Sequence, residues 1–140
     1  MSAYVIDASV ILKWFVPENY SEQALRLKHA GAQFHAPAFL TLEVGNVLSK
    51  KRRRGELAMQ DAEDVWQAFR LAPIRQHADE TLVLAAFDLA HVTKQSLYDS
   101  LYLALAMKLG LPFLTADGKL YHALQHSHYT KWLHWIEDLP

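Results

Sequence analysis

The chain contains no cysteine among its 140 residues. Disulfide bonds, thiolate nucleophiles and cysteine-based zinc or iron–sulfur sites are therefore excluded. Long apolar runs are also lacking, because the longest wholly apolar stretch is far too short to span a bilayer. The start of the sequence has no basic segment before an apolar stretch and no small-residue cleavage pattern. We therefore expect a cytoplasmic protein that does not associate with membranes.

Neither sign of charge dominates the sequence, since 14 Lys and Arg residues oppose 15 Asp and Glu residues. Hydrophobic residues make up 51% of the chain and charged residues 21%. This composition, with no repeat, linker or low-complexity tract, predicts one globular domain over residues 1–140 with a sizeable core. The near-neutral charge is compatible with a nucleic-acid partner but does not require one.

Short apolar segments alternate with helical patterns along the chain. Strands are predicted at residues 4–6, 33–36, 74–77, 112–115 and 131–136, and helices at 10–16, 18–30, 39–54, 58–71, 79–92, 97–109 and 119–125. The helix at 97–109 is nearly all apolar and is expected to be central and buried. This alternation predicts a three-layer α/β/α domain around a short, mainly parallel sheet.

Four acidic residues lie where short apolar segments meet predicted helices: Asp7, Glu43, Asp99 and Asp117. Asp7 and Asp117 directly follow strand candidates, and ligands of open α/β sheets bind beyond the carboxyl ends of the strands. Glu43 and Asp99 lie at the edges of apolar helical stripes, so we expect them to point inward. Carboxylates that converge near a core repel one another and need a compensating cation. The sequence therefore predicts a metal-dependent enzyme acting on an anionic substrate.

Each acid also has an ordinary structural interpretation. Asp7 or Ser9 can cap the first helix, and Asp117 can cap the helix that follows it. The segment SLYD has the spacing of a capping box that includes Asp99, and Glu43 can be a solvated helix residue. We favour the convergent interpretation, because all four placements together are much less expected by chance than any one of them.

The segments around these acids resemble the PIN domain family, and closely resemble the toxin subunits of VapBC-type toxin–antitoxin pairs. The matching segments are YVIDASVILKWF, APAFLTLEVGNVLSK, SLYDSLYLALAMKLG and PFLTADGKL. They fall in the family's order and spacing, and together they cover essentially the whole chain. Since short patterns such as D-x-S and T-x-D occur widely, it is the set of four that carries the resemblance.

The resemblance implies a small endoribonuclease that depends on Mg²⁺ or Mn²⁺, acts on RNA, forms a homodimer and is inhibited by a cognate antitoxin. The family's metal-binding catalytic acids match Asp7, Glu43, Asp99 and Asp117, and its supporting polar positions match Ser9, Asn46 and Thr115. Oxygen ligands suit these ions, which can acidify a water for attack on phosphate. Asp7 and Asp99 are favoured as direct ligands. Whether Glu43 and Asp117 bind directly or through water, and whether one ion or two are held, stays open.

Other motifs near these segments have structural interpretations that compete with functional ones. The basic run at residues 50–54 could follow RNA phosphates, but we favour a solvated helix end that complements the helix dipole. His122 and His126 have a zinc-like spacing without an acid to complete the ligand set. Lys13, Lys119 and Tyr98 could contact phosphate or be ordinary flanking residues. The nearby aromatics Trp14, Phe15, Phe39 and Tyr102 could stack on RNA bases, but we favour core or partner-interface packing for most of them.

Three other functions fit the residues less well. A phosphatase of the haloacid dehalogenase kind would need D-x-D where this chain has Asp7-Ala8-Ser9. A phosphoacceptor receiver domain would need paired acids after the first strand. The main alternative is a catalytically silent PIN-fold regulatory or RNA-binding module, against which the intact acids argue. The sequence leaves open whether an active enzyme is a toxin or a housekeeping nuclease.

Overall fold

A computed structural model describes residues 2–139 and shows a five-stranded sheet flanked by seven α-helices. The strands are β1 (Ala3–Ile6), β2 (Gln33–Pro37), β3 (Ile74–His77), β4 (Phe113–Thr115) and β5 (Leu133–Trp135). The helices are α1 (Ala8–Ile11), α2 (Ser21–His29), α3 (Leu40–Arg53), α4 (Met59–Arg70), α5 (Val83–Thr93), α6 (Leu97–Leu109) and α7 (Gly118–Leu124). The predicted α/β class with a mainly parallel sheet is confirmed.

All neighbouring strands pair in parallel, in the order β3-β2-β1-β4-β5. The chain builds outward from β1 through β2 to β3, and then returns to the other side of β1 for β4 and β5. The order of the strands therefore reverses between β1 and β4. In open α/β sheets a crevice forms at such a switch point, beyond the carboxyl ends of the strands.

Helix α6 is the central helix of the fold and packs against β1, β2, β4 and α5. Every residue from Ser100 to Ala106 is buried, which explains why its sequence is apolar on all sides. The Ser96 hydroxyl accepts a hydrogen bond from the backbone of Asp99 and caps the helix. Gly110 ends it in a left-handed conformation, with φ of 67°. The predicted bounds of this helix are confirmed.

Several other predicted helices are shorter in the structure. The region predicted as one helix at 10–16 is α1 followed by a 3₁₀ turn at Leu12–Trp14, and the helix predicted at 18–30 begins only at Ser21. The helix predicted at 79–92 opens with a 3₁₀ turn, Asp79–Thr81. The last predicted strand likewise begins as a 3₁₀ turn, Thr130–Trp132. Among residues 2–139, no helix is both long and apolar enough to cross a membrane.

Candidate active site

The four predicted acids line a single cavity of about 450 Å³ beyond the carboxyl ends of β1 and β4. Asp7 follows the end of β1, and Asp117 lies two residues after the end of β4. Glu43 lies in the first turn of α3 and Asp99 in the first turn of α6. The topology thus brings together residues that are as many as 110 positions apart in the sequence. The four acids therefore converge at the switch point of the sheet, as the sequence predicts.

Asp7 is the most deeply buried of the acids, with 5% of its surface exposed. One of its carboxylate oxygens accepts a hydrogen bond from the Ser9 hydroxyl, and the other accepts one from Thr115 at 2.7 Å. The backbone N–H of Ala116 donates to the Ser9 hydroxyl at 2.9 Å, which ties the end of β1 to the end of β4. Asp7 occupies the N-cap position of α1, but its side chain does not cap that helix. The capping alternative for Asp7 is therefore wrong, because its oxygens are turned to the two hydroxyls.

Glu43 is half-buried and is held by two donors on the same oxygen. Its Oε1 accepts from the backbone N–H of Ala8 at 3.1 Å and from the Tyr102 hydroxyl at 2.9 Å. The alternative that Glu43 is a solvated helix residue is therefore wrong. For Tyr102, which is 1% exposed, the sequence favours core or interface packing over base stacking, and neither interpretation includes its hydrogen bond to Glu43. A hint was its position three residues after Asp99 on the inward face of α6.

Asp99 and Asp117 lie at helix starts as well as on the cavity wall. Asp99 is half-buried as the third residue of α6, and its backbone N–H donates to the Ser96 hydroxyl, which caps the helix. Asp117 is exposed, and its Oδ1 accepts from the backbone of Leu120 at 3.2 Å, so that it caps α7. Asp117 therefore combines capping with a place in the cavity, as the sequence predicts, whereas the cap of α6 is the Ser96 hydroxyl.

The acids lie close enough to affect one another's ionisation. Burial and then the charge of Glu43 raise the pKa of Asp7 to about 7, although the Ser9 and Thr115 hydroxyls oppose the rise. Burial raises the pKa of Glu43, with Asp99 and Asp117 adding to the effect and the two donors opposing it. The pKa of Asp99 is also raised, first by burial. Such a set of carboxylates is stabilised by a cation.

The carboxylates approach the cavity from four separate elements. Within the part of the chain that the structure describes, no three His, Asp or Glu side chains stand close enough to form a ready group of metal ligands. Asn46, predicted to support the acids, lies exposed on the cavity wall, and no hydrogen bond from its side chain to the described residues is found. Ser9 and Thr115, by contrast, contact Asp7 directly.

Three lysines line the same cavity: Lys13, Lys50 and Lys51. Lys51 also pairs with Glu56 at 3.7 Å, whereas the three arginines that follow it in the basic run are exposed and do not line the cavity. The basic run is thus divided between the cavity and a solvated helix end. His122 and His126 are both exposed, and neither belongs to a metal-ligand group among the described residues.

Residues 4–123 match the model of a protein family described as PIN domain. Ribonuclease VapC3 of Pyrobaculum aerophilum is 37% identical to this chain over 120 residues. The matched region covers 83% of this chain and 90% of that relative.

Three solved structures share the fold. PAE2754 from Pyrobaculum aerophilum has a TM-score of 0.69 at 20% identity, and the matched region covers 97% of this chain and 85% of the PAE2754 chain. VapC20 of Mycobacterium tuberculosis, described as a sarcin–ricin loop cleaving toxin, has a TM-score of 0.63 at 19% identity. The matched region covers 88% of this chain and 95% of the VapC20 chain. A chain of a toxin–antitoxin complex from Klebsiella pneumoniae has a TM-score of 0.56 at 16% identity, and the matched region covers 86% of this chain and 92% of that one. At these identities the likeness concerns the fold alone.

Proposed function

Because the chain belongs to the PIN domain family and has a VapC ribonuclease as a relative along most of its length, we propose that it is a VapC-type toxin endoribonuclease that depends on Mg²⁺ or Mn²⁺. It hydrolyses a phosphodiester bond of RNA with water as the nucleophile. The observation that carries this proposal is the convergence of four carboxylates from four elements on one cavity at the switch point of the sheet.

The donor chemistry of the cavity suits a hard divalent cation. All four acids offer oxygen ligands, and burial together with their mutual repulsion raises the pKa of Asp7 and of Glu43. Asp7 and Asp99 would hold the ion, while Glu43 and Asp117 would complete the set directly or through water. When bound, the ion supplies positive charge against the phosphate and acidifies water.

The residues around the acids orient them for this reaction. Ser9 and Thr115 hold both oxygens of Asp7, and Tyr102 together with the Ala8 N–H holds one oxygen of Glu43. No hydrogen bond to the second oxygen of Glu43 is found among residues 2–139, and that oxygen is not fully buried, so it remains available to a ligand. Because Asp7 and Glu43 are held in fixed orientations, we expect them to limit the orientations that a phosphate can adopt in the cavity.

Hydrolysis by this site joins the oxygen of a water molecule to phosphorus and breaks the bond to a ribose oxygen, which takes up a proton as it leaves. The raised pKa of Asp7 reflects the cost of holding its charge without a cation. Glu43 and Asp117 can orient the attacking water through their free oxygens. The catalytically silent alternative is disfavoured because all four acids are present and line one cavity.

We further propose an antitoxin and a second copy of the chain as protein partners. The VapC relative and the fold shared with a toxin–antitoxin complex support the antitoxin. Three large apolar side chains on α5 support the homodimer: Leu84 is 76% exposed, Phe87 55% and Val92 57%. Monomeric proteins rarely expose apolar side chains in such groups unless another surface covers them.

The function can be tested by incubating the purified protein with single-stranded and structured RNAs, including a sarcin–ricin-type hairpin. Cleavage is expected in Mg²⁺ or Mn²⁺, and no cleavage in EDTA. Asp7→Asn and Asp99→Asn should each abolish cleavage, while Glu63→Gln, at an exposed position of α4 outside the cavity, should retain it. Equal cleavage by wild type and Asp7→Asn, or cleavage that persists in EDTA, would contradict the proposal.

A further inference from the structure

Lys13 is a buried lysine in the wall of the acidic cavity. It lies in the 3₁₀ turn Leu12–Trp14 that follows α1, and 8% of its surface is exposed. Lysine is almost never this buried unless its charge is compensated. Its long aliphatic stem can pack against the core while its ammonium group reaches toward polar surroundings. The cavity supplies such surroundings, because Lys13 lines it together with the four acids.

The compensation that Lys13 receives is incomplete. Its Nζ lies 3.6 Å from Glu18 Oε2, which is longer than a good hydrogen bond, and 5.9 Å from the ring centroid of Tyr20. An ammonium group has three donors, and no hydrogen bond from Nζ to a described residue is found. Among residues 2–139, however, no side-chain nitrogen is both buried and unpartnered. The ammonium group therefore meets solvent, with free donors for an anion.

The loop that follows Lys13 is folded back so that Glu18 and Tyr20 surround the ammonium group. The backbone N–H of Glu18 donates to the Ser21 hydroxyl at 2.9 Å. Tyr20 has φ of 67°, a left-handed conformation that costs a non-glycine residue on the order of 1 kcal/mol or more. Its ring packs edge-on against Trp135 at 5.8 Å. The loop thus keeps a strained residue in the position that encloses Lys13.

We propose that Lys13 binds a backbone phosphate of the RNA next to the scissile one, and that Glu18 neutralises the ammonium group when no RNA is bound. This inference rests on the proposed function and names one of its substrate contacts. The ion pair found for Lys13 among residues 2–139 is with Glu18 and not with any of the four site acids, although all of them line the same cavity. A position on the cavity wall beside Glu18 suits a flanking phosphate better than the reacting one.

A purely structural role would make Lys13 and Glu18 equivalent, because removal of either would break the same ion pair. The proposal predicts effects of opposite sign. Loss of Lys13 removes a phosphate contact, whereas loss of Glu18 removes the anion that competes with phosphate and one negative charge from the cavity wall. This difference separates the two interpretations without knowledge of the cleavage sequence, since a phosphate contact does not depend on the bases.

The test measures binding of a short fluorescein-labelled single-stranded RNA by anisotropy, in Mg²⁺ and in an Asp99→Asn background that leaves the RNA intact. Salt is varied from about 50 to about 200 mM. Lys13→Met, which retains an apolar stem, should weaken binding about fivefold near 0.1 M salt and lower the slope of log affinity against log salt by about 0.7. Glu18→Gln should bind as tightly as the parent or more tightly. Lys13→Arg should restore the affinity.

Lys28→Met is the matched control. Lys28 is half-buried and lies over the Trp14 ring at 5.4 Å, but it does not line the cavity, so its loss should leave the slope unchanged. With wild-type catalytic residues, Lys13→Met should raise KM by the same factor and leave kcat within about twofold, as expected for uniform binding. Thermal melting of each variant separates loss of binding from loss of folding.

An unchanged slope in folded Lys13→Met, or equal weakening by Lys13→Met and Glu18→Gln, would overturn the inference. If the wild-type protein still cleaves RNA in Mg²⁺, the proposed function survives that result. Absence of both RNA binding and cleavage in the parent protein would remove the function, and the inference with it.

Discussion

At the scale of single residues, the buried carboxylate of Asp7 lowers the free energy of unfolding of the metal-free protein when it is ionised. Its pKa in the folded protein is about 7, against 3.8 for the ordinary side chain. Below about pH 3.8 the carboxyl group is neutral in both the folded and the unfolded chain, so it causes no loss of stability. Between that pH and 7 the unfolded chain ionises more readily, and stability falls as the pH rises. Above pH 7 ionised Asp7 lowers the free energy of unfolding by roughly 4 kcal/mol, and this decrease no longer changes with pH.

Asp7→Asn should therefore stabilise the metal-free protein at pH 8 by a few kcal/mol and have little effect at pH 4, because the amide carries no charge. Urea unfolding in EDTA at both pH values measures the difference. Glu63→Gln, at an exposed position of α4, is the control and should change stability little at either pH. A stabilisation by Asp7→Asn that is the same at pH 4 and pH 8 would show that Asp7 ionises normally in the folded protein.

Tyr102 fixes Glu43 through one hydrogen bond between residues that are 59 positions apart. In Tyr102→Phe the ring still fills its buried position, while Glu43 Oε1 keeps only the Ala8 N–H as a donor. We expect the free energy of unfolding to fall by about 1 kcal/mol and kcat to fall more than KM changes. Chemical unfolding and steady-state cleavage measure the two effects. Wild-type kinetics in Tyr102→Phe would mean that this bond does not help to position Glu43.

The residues of the site were predictable to different degrees. Sequence pattern and family resemblance singled out the four acids that line the cavity and the Ser9 and Thr115 hydroxyls that contact Asp7, since each lies beside a recognisable strand or helix start. The sequence indicated that Tyr102 lies on the inward face of α6, but its hydrogen bond to Glu43 was not predictable, because that contact depends on how α3 packs beside α6. The contact between Lys13 and Glu18 was also missed, since the strained backbone at Tyr20 that folds the loop back has no sequence signature.

At the scale of elements, the Ser96 cap at the start of α6 also holds the backbone of Asp99, so we expect changes to this cap to affect both stability and cleavage. Ser96→Ala removes the acceptor of the Asp99 N–H, so we expect the protein to lose about 1 kcal/mol of stability. Because Asp99 lies in that first turn, cleavage should fall as well. Ser96→Thr, which keeps a hydroxyl acceptor, should retain both properties. Thermal melting and cleavage rates check this, and an unaffected rate in a destabilised Ser96→Ala protein would separate the cap from the site.

The elements themselves were predicted well where pattern and end signals agree. Helix α6 has both the Ser96 cap and Gly110 at its end, and its bounds were predicted correctly. The region after Asp7 reads as one helix up to Pro17, yet it divides into α1 and a 3₁₀ turn. Tighter 3₁₀ turns occur commonly at helix ends and are set by the packing of neighbouring elements, which a propensity pattern does not encode.

At the scale of the whole molecule, the exposed apolar side of α5 should decide the oligomeric state. We expect the wild-type protein to be a dimer by light scattering coupled to size exclusion, and Leu84→Glu with Phe87→Glu to be monomeric, because the charges would be buried without partners. Leu71→Glu, at a residue 86% exposed beyond α4, should leave the dimer intact. A monomeric wild type, or a dimer that survives the double substitution, would exclude this interface.

The central claim is that Asp7, Glu43, Asp99 and Asp117 act as one metal-binding unit. Calorimetric titration of the metal-free protein with Mn²⁺ at pH 8, above the raised pKa of Asp7, tests it most directly. We predict saturable binding by the wild type, tenfold or more weakening in Asp7→Asn and in Asp99→Asn, and unchanged binding in Glu63→Gln, which lies outside the cavity. Equal Mn²⁺ affinity in the wild type and in both site variants would show that the acidic cavity does not hold the metal.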